Sequence, residues 1–325
     1  MLHEILALLA DGQFHSGEKL GAHLGVSRAA IWKALQPLEL QGFPIHRVRG
    51  KGYRIPVGAV LLDGDAIQQQ LSGQCRDRWD WHLYQQIDST NAEAQRLIAA
   101  TGVRPLVVVA EQQAAGRGRR GRSWISPFGQ NLYVSFVEPV SGGAQGLEGL
   151  SLVVGLTLVQ TLEACGYQGC RLKWPNDVLL DGAKLAGVLL EISGDLTADT
   201  VVIIGVGVNV LMESDDSIDQ SWTSLRRSGQ RGELDRNRIV ATFASGLADA
   251  LALFSRSGFA AFQQQWQGYD AWLGADVKVI SGSNVMAGRN LGVNQRGALR
   301  LLTEDGEMDV SGGEVSLRLD HATGA

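Results

Sequence analysis

The sequence predicts an α+β chain in three parts: an N-terminal winged helix-turn-helix, a central mixed α/β domain and a small C-terminal β-barrel. Three observations carry the prediction. Residues 2–38 hold three short apolar stripes at helical spacing, followed by a basic hairpin at 45–55. Apolar runs of strand length alternate with helical segments from Trp81 to Asn209. Beyond Asp270, short apolar runs are separated by turns of glycine, asparagine and aspartate. These divisions place domains at 1–60, 65–268 and 270–320.

In the head, Leu2, Ile5, Leu6 and Leu9 share one helical face, and Asp11-Gly12 ends that helix. Ser16 caps a second helix carrying Leu20 and Leu24. After a turn at Gly25-Val26, Ser27 caps a third helix with Ile31, Leu35 and Leu38 on its inner side. Pro37 removes a backbone donor, so this helix is expected to kink there or to end near Gln36. The stretch Ile45 to Ile55 alternates apolar and basic residues around Gly50 and Gly52, which reads as a cationic wing. Ser27, Arg28, Ala29, Trp32 and Lys33 start the third helix, where base edges are read, and Arg47, Arg49 and Lys51 would grip phosphates. The other reading is a helical protein-interaction domain with a charged face.

Charge distribution agrees with a DNA-binding head. Residues 1–56 hold seven cations against four anions, a net charge of +3, and the remainder of the chain carries −8. With 45% hydrophobic and 19% charged residues, the composition is that of a globular protein. Three cysteines, Cys75, Cys165 and Cys170, form neither a disulfide framework nor zinc spacing. No Walker A or H-E-x-x-H pattern is present, and no metal ligands are assigned. The start Met1-Leu2-His3-Glu4 lacks a basic leader, and the best apolar run, Val201 to Met212, is interrupted by Gly205, Gly207 and Asn209. A cytoplasmic protein without a membrane partner is expected.

In the body, Trp81 to Ile87 reads as a strand, and Asp88-Ser89-Thr90-Asn91 starts a helix bearing Ala94, Leu97 and Ile98. Those short polar side chains either cap the helix or bind a polar head group. A strand at 106–110 leads into Gly116-Arg117-Gly118-Arg119-Arg120-Gly121-Arg122. Four arginines in seven residues repel one another, so an anionic ligand is the natural reason for the cluster, against a merely solvated basic loop. The glycines also satisfy G-x-G-x-x-G, but Ser123 to Gly129 is turn-like, whereas a dinucleotide site needs a helix there. Asn131 to Glu138 is a strand and Leu150 to Cys165 an apolar helix. Lys173 and Lys184 each open an apolar strand, either as partners of the same anion or as snorkelling surface groups. Asp177 is a turn former or a carboxylate facing that site.

Taken together, these motifs resemble the bifunctional bacterial biotin–protein ligases that also repress the biotin operon. The carriers are Ser27 to Ile31 and Gly50 to Tyr53, then Asp88 to Asn91, Gln113 to Trp124, Lys173 to Asp177, Lys184 to Gly187, Gly205 to Asn209 and Gly312 to Arg318. The resemblance covers essentially the whole chain, and implies a lipoate-ligase-like catalytic fold and an SH3-like C-terminal barrel. It implies that biotin and ATP form biotinyl-5′-AMP, with Mg²⁺ aiding pyrophosphate departure, and that biotin passes to a lysine of the biotin carboxyl carrier protein. By the same resemblance, Ser89, Thr90, Asn91, Gln113, Gly116, Arg117, Gly118, Arg119, Arg120, Gly121, Trp124, Gly187, Gly205 and Gly207 bind biotin or its adenylate. Lys184, Arg119, Lys173 and Asp177 are the catalytic candidates. Lys173 and Arg318 would serve phosphate or ribose, and Trp222 and Asn209 would flank adenine. The adenylate would act as corepressor, promoting a homodimer that binds operator DNA of biotin-synthesis genes. A ligand-sensing repressor without ligase activity is the alternative. The acidic residues Glu213, Asp215, Asp216 and Asp219, where the family has a loop over the adenylate, are expected to point mostly to solvent.

Overall fold

A computed structural model describes residues 1–73, 75–140, 143–194, 200–232, 234–313 and 315–320. In the head, α1 (Leu2–Leu9), α2 (Gly17–Leu24) and α3 (Arg28–Leu40) precede the hairpin β1 (His46–Val48) and β2 (Gly52–Arg54). Ser16 Oγ accepts from the Lys19 amide at 3.1 Å and Ser27 Oγ from the Ala30 amide at 3.2 Å, so both expected caps form. Ile5, Leu6, Leu9, Leu20, Ile31, Leu35 and Leu38 close the small core. The hairpin is pinned to it through reciprocal backbone bonds between His15 and Tyr53, each 2.9 Å. Helix α3 does not end near Gln36: it continues through Pro37 to Leu40. Pro37 is exposed and only one turn from the helix end, where water can satisfy the carbonyl that lost its donor.

The body is built on a seven-stranded sheet of order β3-β4-β5-β9-β8-β7-β6. Its strands are β3 (Asp80–Ile87), β4 (Leu106–Gln113), β5 (Leu132–Val140), β6 (Cys170–Lys173), β7 (Asp177–Leu180), β8 (Ala183–Gly194) and β9 (Thr200–Val208). Helix α5 (Thr90–Thr101) makes the crossover between the parallel pair β3 and β4, and all other neighbours are antiparallel. Alternation along the strands divides the core. Leu106, Val108, Val137 and Ile203 pack with Ala94 of α5, while Val107, Val109, Phe136 and Ile204 face the opposite layer. That layer contains α6 (Leu150–Ala164) and α7 (Arg236–Ser257).

Helix α7 has no counterpart among the sequence-based expectations. Asp235 caps it, and Ile239, Phe243, Leu247, Leu251 and Phe254 lie on its buried side. By length and composition it would pass for a membrane span, but it packs on α4 (Gly64–Gln70), α6 and β5 as a core helix. The run Val201 to Met212, whose glycines and Asn209 interrupt it, is largely the central strand β9, in keeping with the strand pattern of the body.

Arg236, fully buried at the start of α7, meets Glu111 at 2.7 Å and donates to the carbonyls of Asn131 at 3.0 Å and Val60 at 2.6 Å. Glu111 also accepts from the Leu62 amide at 2.5 Å. The segment joining head and body is therefore fastened to the sheet by a buried, multiply bonded charge pair.

The C-terminal part has strands β10 (Asp276–Ser281), β11 (Asn284–Val293), β12 (Leu299–Thr303), β13 (Gly306–Val310) and β14 (Val315–Leu319), all antiparallel in the order β13-β12-β11-β10-β14. Among the described residues no pairing of β13 with β14 closes a barrel. Among the bonds that join this sheet and the segment before it to the body are Trp174 Nε1 to the Gly297 carbonyl at 3.0 Å and the Ala271 amide to the Leu172 carbonyl at 2.8 Å.

Candidate functional site

A cavity of about 1030 Å³ opens over the middle of β8 and β9. The start of α5, the arginine loop, the β6–β7 turn and β14 form its walls. Of the expected site residues, it brings together Ser89, Thr90, Asn91, Gln113, Arg117, Gly118, Arg119, Arg120, Trp124, Lys173, Asp177, Lys184, Gly187, Gly205, Gly207 and Arg318. Asn209 and Trp222 line an adjoining cavity of about 780 Å³, which shares Arg122, Ser123, Trp124, Lys184 and Gln220 with the first. Gly116 and Gly121 line neither and shape the loop instead: a Cβ on Gly116 would stand 2.4 Å from the Trp124 carbonyl oxygen. Glu314, within the C-terminal motif, lies outside the described residues.

One end of the cavity is a hydrogen-bonded polar cluster. Ser89 makes no side-chain cap, so the cluster's role is not simple capping. Thr90 donates to Gln113 Oε1 from its amide at 2.8 Å and from Oγ1 at 3.1 Å. Gln113 Nε2 donates to Ser126 Oγ at 3.0 Å. Behind them, fully buried Ser135 lies 2.7 Å from Thr90 Oγ1 and 2.5 Å from Asn91 Oδ1. Gly205 makes room: a Cβ there would come within 2.4 Å of Asn91 Oδ1. At Gly207 a Cβ would meet the Trp124 ring at 2.5 Å, so this glycine lets the indole approach the sheet closely.

The other end is cationic. Lys184 Nζ lies 2.8 Å from Asp177 Oδ1 and 5.4 Å from the centre of the Trp124 ring. Lys173 Nζ lies 3.8 Å from Asp177 Oδ2 and over Trp272 at 4.9 Å. Asp177 thus faces the site rather than serving a turn. Burial lowers the Lys173 pKa to about 8, helped by the positive charges of Arg318, Lys184 and Arg122 and opposed by Asp177. Lys173 closes β6 rather than opening a strand, because Trp174-Pro175-Asn176 turns the chain before β7. Lys184 is the second residue of β8.

The arginine loop folds back on itself. The Gly118 amide donates to the Arg122 carbonyl at 2.7 Å and the Trp124 amide to the Gly116 carbonyl at 2.9 Å. Arg120 is left-handed at φ 58°, a conformation uncommon for a side-chain-bearing residue. Arg119 crosses to the far wall, donating to Asn176 Oδ1 at 2.7 Å and to the Val315 carbonyl at 3.3 Å. Ser123 makes an isolated bridge with Arg117 and no helix opens after the glycines, so the loop is not a dinucleotide fingerprint.

Sequence reasoning passed over Ser135, Gln220 and Glu191 as site residues. Ser135 had a signal, as the one serine between apolar neighbours in the run Tyr133 to Val137. Of the acidic segment, Glu213, Asp216 and Asp219 are exposed and Asp215 is half-buried. On the head, Ser27, Arg28, Ala29, Trp32, Lys33, Arg47, Arg49 and Lys51 are all exposed on α3, its cap and the wing. Phe14 supports the wing base beneath Lys51 and Arg54, whose charges lie 5.9 and 5.1 Å from its ring centre. Among the described residues there is no cluster of three His, Cys, Asp or Glu side chains fit to hold a metal ion.

Comparison with known proteins agrees with this layout. The biotin/lipoate A/B protein ligase family matches residues 67–209, an HTH domain residues 2–54, and the biotin protein ligase C terminal domain residues 273–318. The chain is 41% identical to the bifunctional ligase/repressor BirA of Salmonella typhimurium, over 97% of this chain and 96% of the relative. Identity to the Escherichia coli protein of the same name is 40%, with the same coverage. A biotin protein ligase from Aquifex aeolicus, solved in complex with biotin and ATP, superposes with a TM-score of 0.65 at 30% identity, covering 74% of this chain and 99% of that one.

Proposed function

This chain belongs to the family of bifunctional biotin–protein ligase/repressors, and on that premise we propose that it activates biotin with ATP and transfers it to a protein lysine. The observation that carries the reading is the single cavity with neutral hydrogen-bonding groups at one end and Lys184, Lys173 and Arg318 at the other. Biotin has matching ends: a neutral ureido head and a carboxylate on an apolar arm. Ser89, Thr90, Asn91 and Gln113 would take the head, with Trp124, Gly187, Gly205 and Gly207 along the arm.

In the first step the biotin carboxylate attacks the α-phosphorus of ATP, and pyrophosphate leaves. Lys184 would neutralise charge as it builds between carboxylate and phosphoryl group, with Asp177 holding it in place. Lys173 and Arg318 would contact phosphate or ribose, and Trp222 and Asn209 the adenine in the adjoining cavity. Arg117, Gly118, Arg119 and Arg120 would cover the adenylate, supported by Gly116 and Gly121 in the loop. Mg²⁺ would neutralise the departing pyrophosphate; without a ligand cluster among the described residues, it would take its oxygens largely from the phosphates. In the second step a lysine amine of the biotin carboxyl carrier protein attacks the acyl carbon, the amide forms and AMP leaves.

The exposed basic head supports binding to operator DNA of biotin-synthesis genes, with a homodimer promoted by biotinyl-5′-AMP supplying two heads. We place these reactions in the cytoplasm. The three domains would divide the labour as DNA binding at 1–60, catalysis at 65–268 and closure of the site by 270–320. The test is incubation with biotin and ATP, followed by measurement of pyrophosphate and of biotin on a carrier domain. Absence of both products would leave a ligand-sensing repressor without ligase activity.

A further inference from the structure

Glu191 belongs to none of the functional motifs, yet one of its oxygens touches two groups of the site. On β8, Gly187, Leu189 and Glu191 alternate onto the same face, and the first two line the cavity. Glu191 continues that face at the cavity's edge. Its Oε2 accepts from Asn91 Nδ2 at 2.8 Å and from Arg117 Nη2 at 3.0 Å. The Glu191 side chain is 24% exposed and Asn91 is 3% exposed, so the carboxylate bridges a buried wall and the open side of the site.

Both contacts bear on ligand binding. The Asn91 amide has its oxygen against Ser135 and one of its two N–H donors on Glu191, which fixes its orientation and leaves one donor. Arg117 is the first arginine of the loop, at the base where the chain pairs with Ser123. Arg117, Arg119, Arg120 and Arg122 repel one another, and Glu191 places a negative charge beside the first of them. One carboxylate therefore ties the covering loop to the wall that meets the ligand's polar head.

We infer that Glu191 is a positioning residue: it orients Asn91 and latches the arginine loop through Arg117, and so sets how long the acyl-adenylate is retained. The inference rests on the ligase reading. Glu191→Gln keeps the length and an acceptor oxygen but loses the charge, so it isolates the latch. Glu191→Ala removes the acceptor as well, so it also reports on Asn91.

The experiment uses the full-length chain with adenylate formed in place from biotin and ATP, reading adenylate release, biotin KM and kcat, and thermal melting. In E191Q release is expected to be roughly tenfold faster, the scale of one charge-assisted hydrogen bond. E191A should in addition raise biotin KM roughly tenfold, with a smaller change in kcat. Arg117→Ala should speed release at least as much as E191Q, and the double variant E191Q/R117A should release no faster than R117A alone, since both changes break the same contact. A residue that only stabilised the fold would instead lower the melting temperature and give additive effects in the double variant. Wild-type release from both Glu191 variants, or additivity with R117A, overturns the latch while leaving the ligase reading intact. If the wild-type chain forms no pyrophosphate from biotin and ATP, both fall together.

Discussion

Lys184 and Asp177 meet at 2.8 Å although they are not partners in the sheet: Lys184 pairs with Leu179, and Asp177 pairs with Gly187. A register shift between Val178 and Leu179 allows the contact. Such an irregularity re-aims a side chain without moving the strand, and here it directs the ammonium across β7 into the cavity. Lys184→Ala should cost roughly 3 kcal/mol in adenylate formation, the loss typical of one preorganised donor. Pyrophosphate release in a single turnover measures this. A near-wild-type rate would remove Lys184 from the chemistry.

The buried ammonium of Lys173 introduces a pH dependence. Its pKa of about 8 stands below the ordinary lysine value of 10.5, chiefly through burial. The charged form is present below pH 8, so adenylate formation should fall as pH rises through about 8, and Lys173→Met should lose that inflection. Stability should move the other way. Between about 8 and 10.5 the unfolded chain binds more protons at this site than the folded one, so this group's contribution to stability grows with pH over that window. Rate profiles and melting temperatures across pH 7 to about 10.5 separate the two effects.

Gly207→Ala forces a methyl group to within 2.5 Å of the Trp124 ring. The expected loss of stability is about 1–3 kcal/mol, as for other overpacked sites. Gly268→Ala is the control: it lies in α8 (Gln263–Tyr269), with nothing within 4 Å of the added carbon, and should be neutral or slightly stabilising. Urea unfolding of both variants, side by side, gives the comparison.

Arg119 spans from the loop to Asn176 and to the Val315 carbonyl, closing the cavity on the side of β14. Arg119→Gly should still form the adenylate but lose it to solvent, so lysines of a bystander protein become biotinylated. Mass spectrometry of that bystander reads the leak. An unchanged adenylate release rate would contradict a covering role for Arg119.

On the head, Arg47→Ala should weaken DNA binding about equally on all sequences and reduce the salt slope by about 1, whereas Trp32→Ala should alter preference between sequences. Sedimentation with and without biotin plus ATP should show a dimer favoured by the adenylate, and linkage requires operator affinity to rise with it. If both quantities stay constant, the regulatory half of the proposal is wrong.

What could be read from the sequence was what is local in the chain. Ser16 and Ser27 announce their helices because a cap and its amide are three residues apart. The arginine loop and the Asp88 to Asn91 cluster are likewise contiguous. The contributions of Ser135 and Glu191 depend on which strands are neighbours, a property of sheet order that no nearby residue signals. Lys173 was placed at the wrong end of its strand because the apolar residues Leu172 and Val178 flank a turn that hydrophobicity alone does not reveal. Helix α7 went unread although its apolar residues Ile239, Phe243, Leu247, Leu251 and Phe254 keep helical spacing, with Arg238 and Asp249 on the exposed side.

The bare backbone at Gly205 and Gly207 has a consequence for how such a site changes over time. The strands there contribute vacancy, and the recognising atoms come from elsewhere: Asn91 from the start of a helix and Trp124 from the end of a loop. A scaffold of this kind can exchange one small acid for another by altering what leans over the sheet, with the pleated strands beneath left untouched. Selectivity would then evolve fastest in α5 and the arginine loop, and the glycines would be the last positions free to vary.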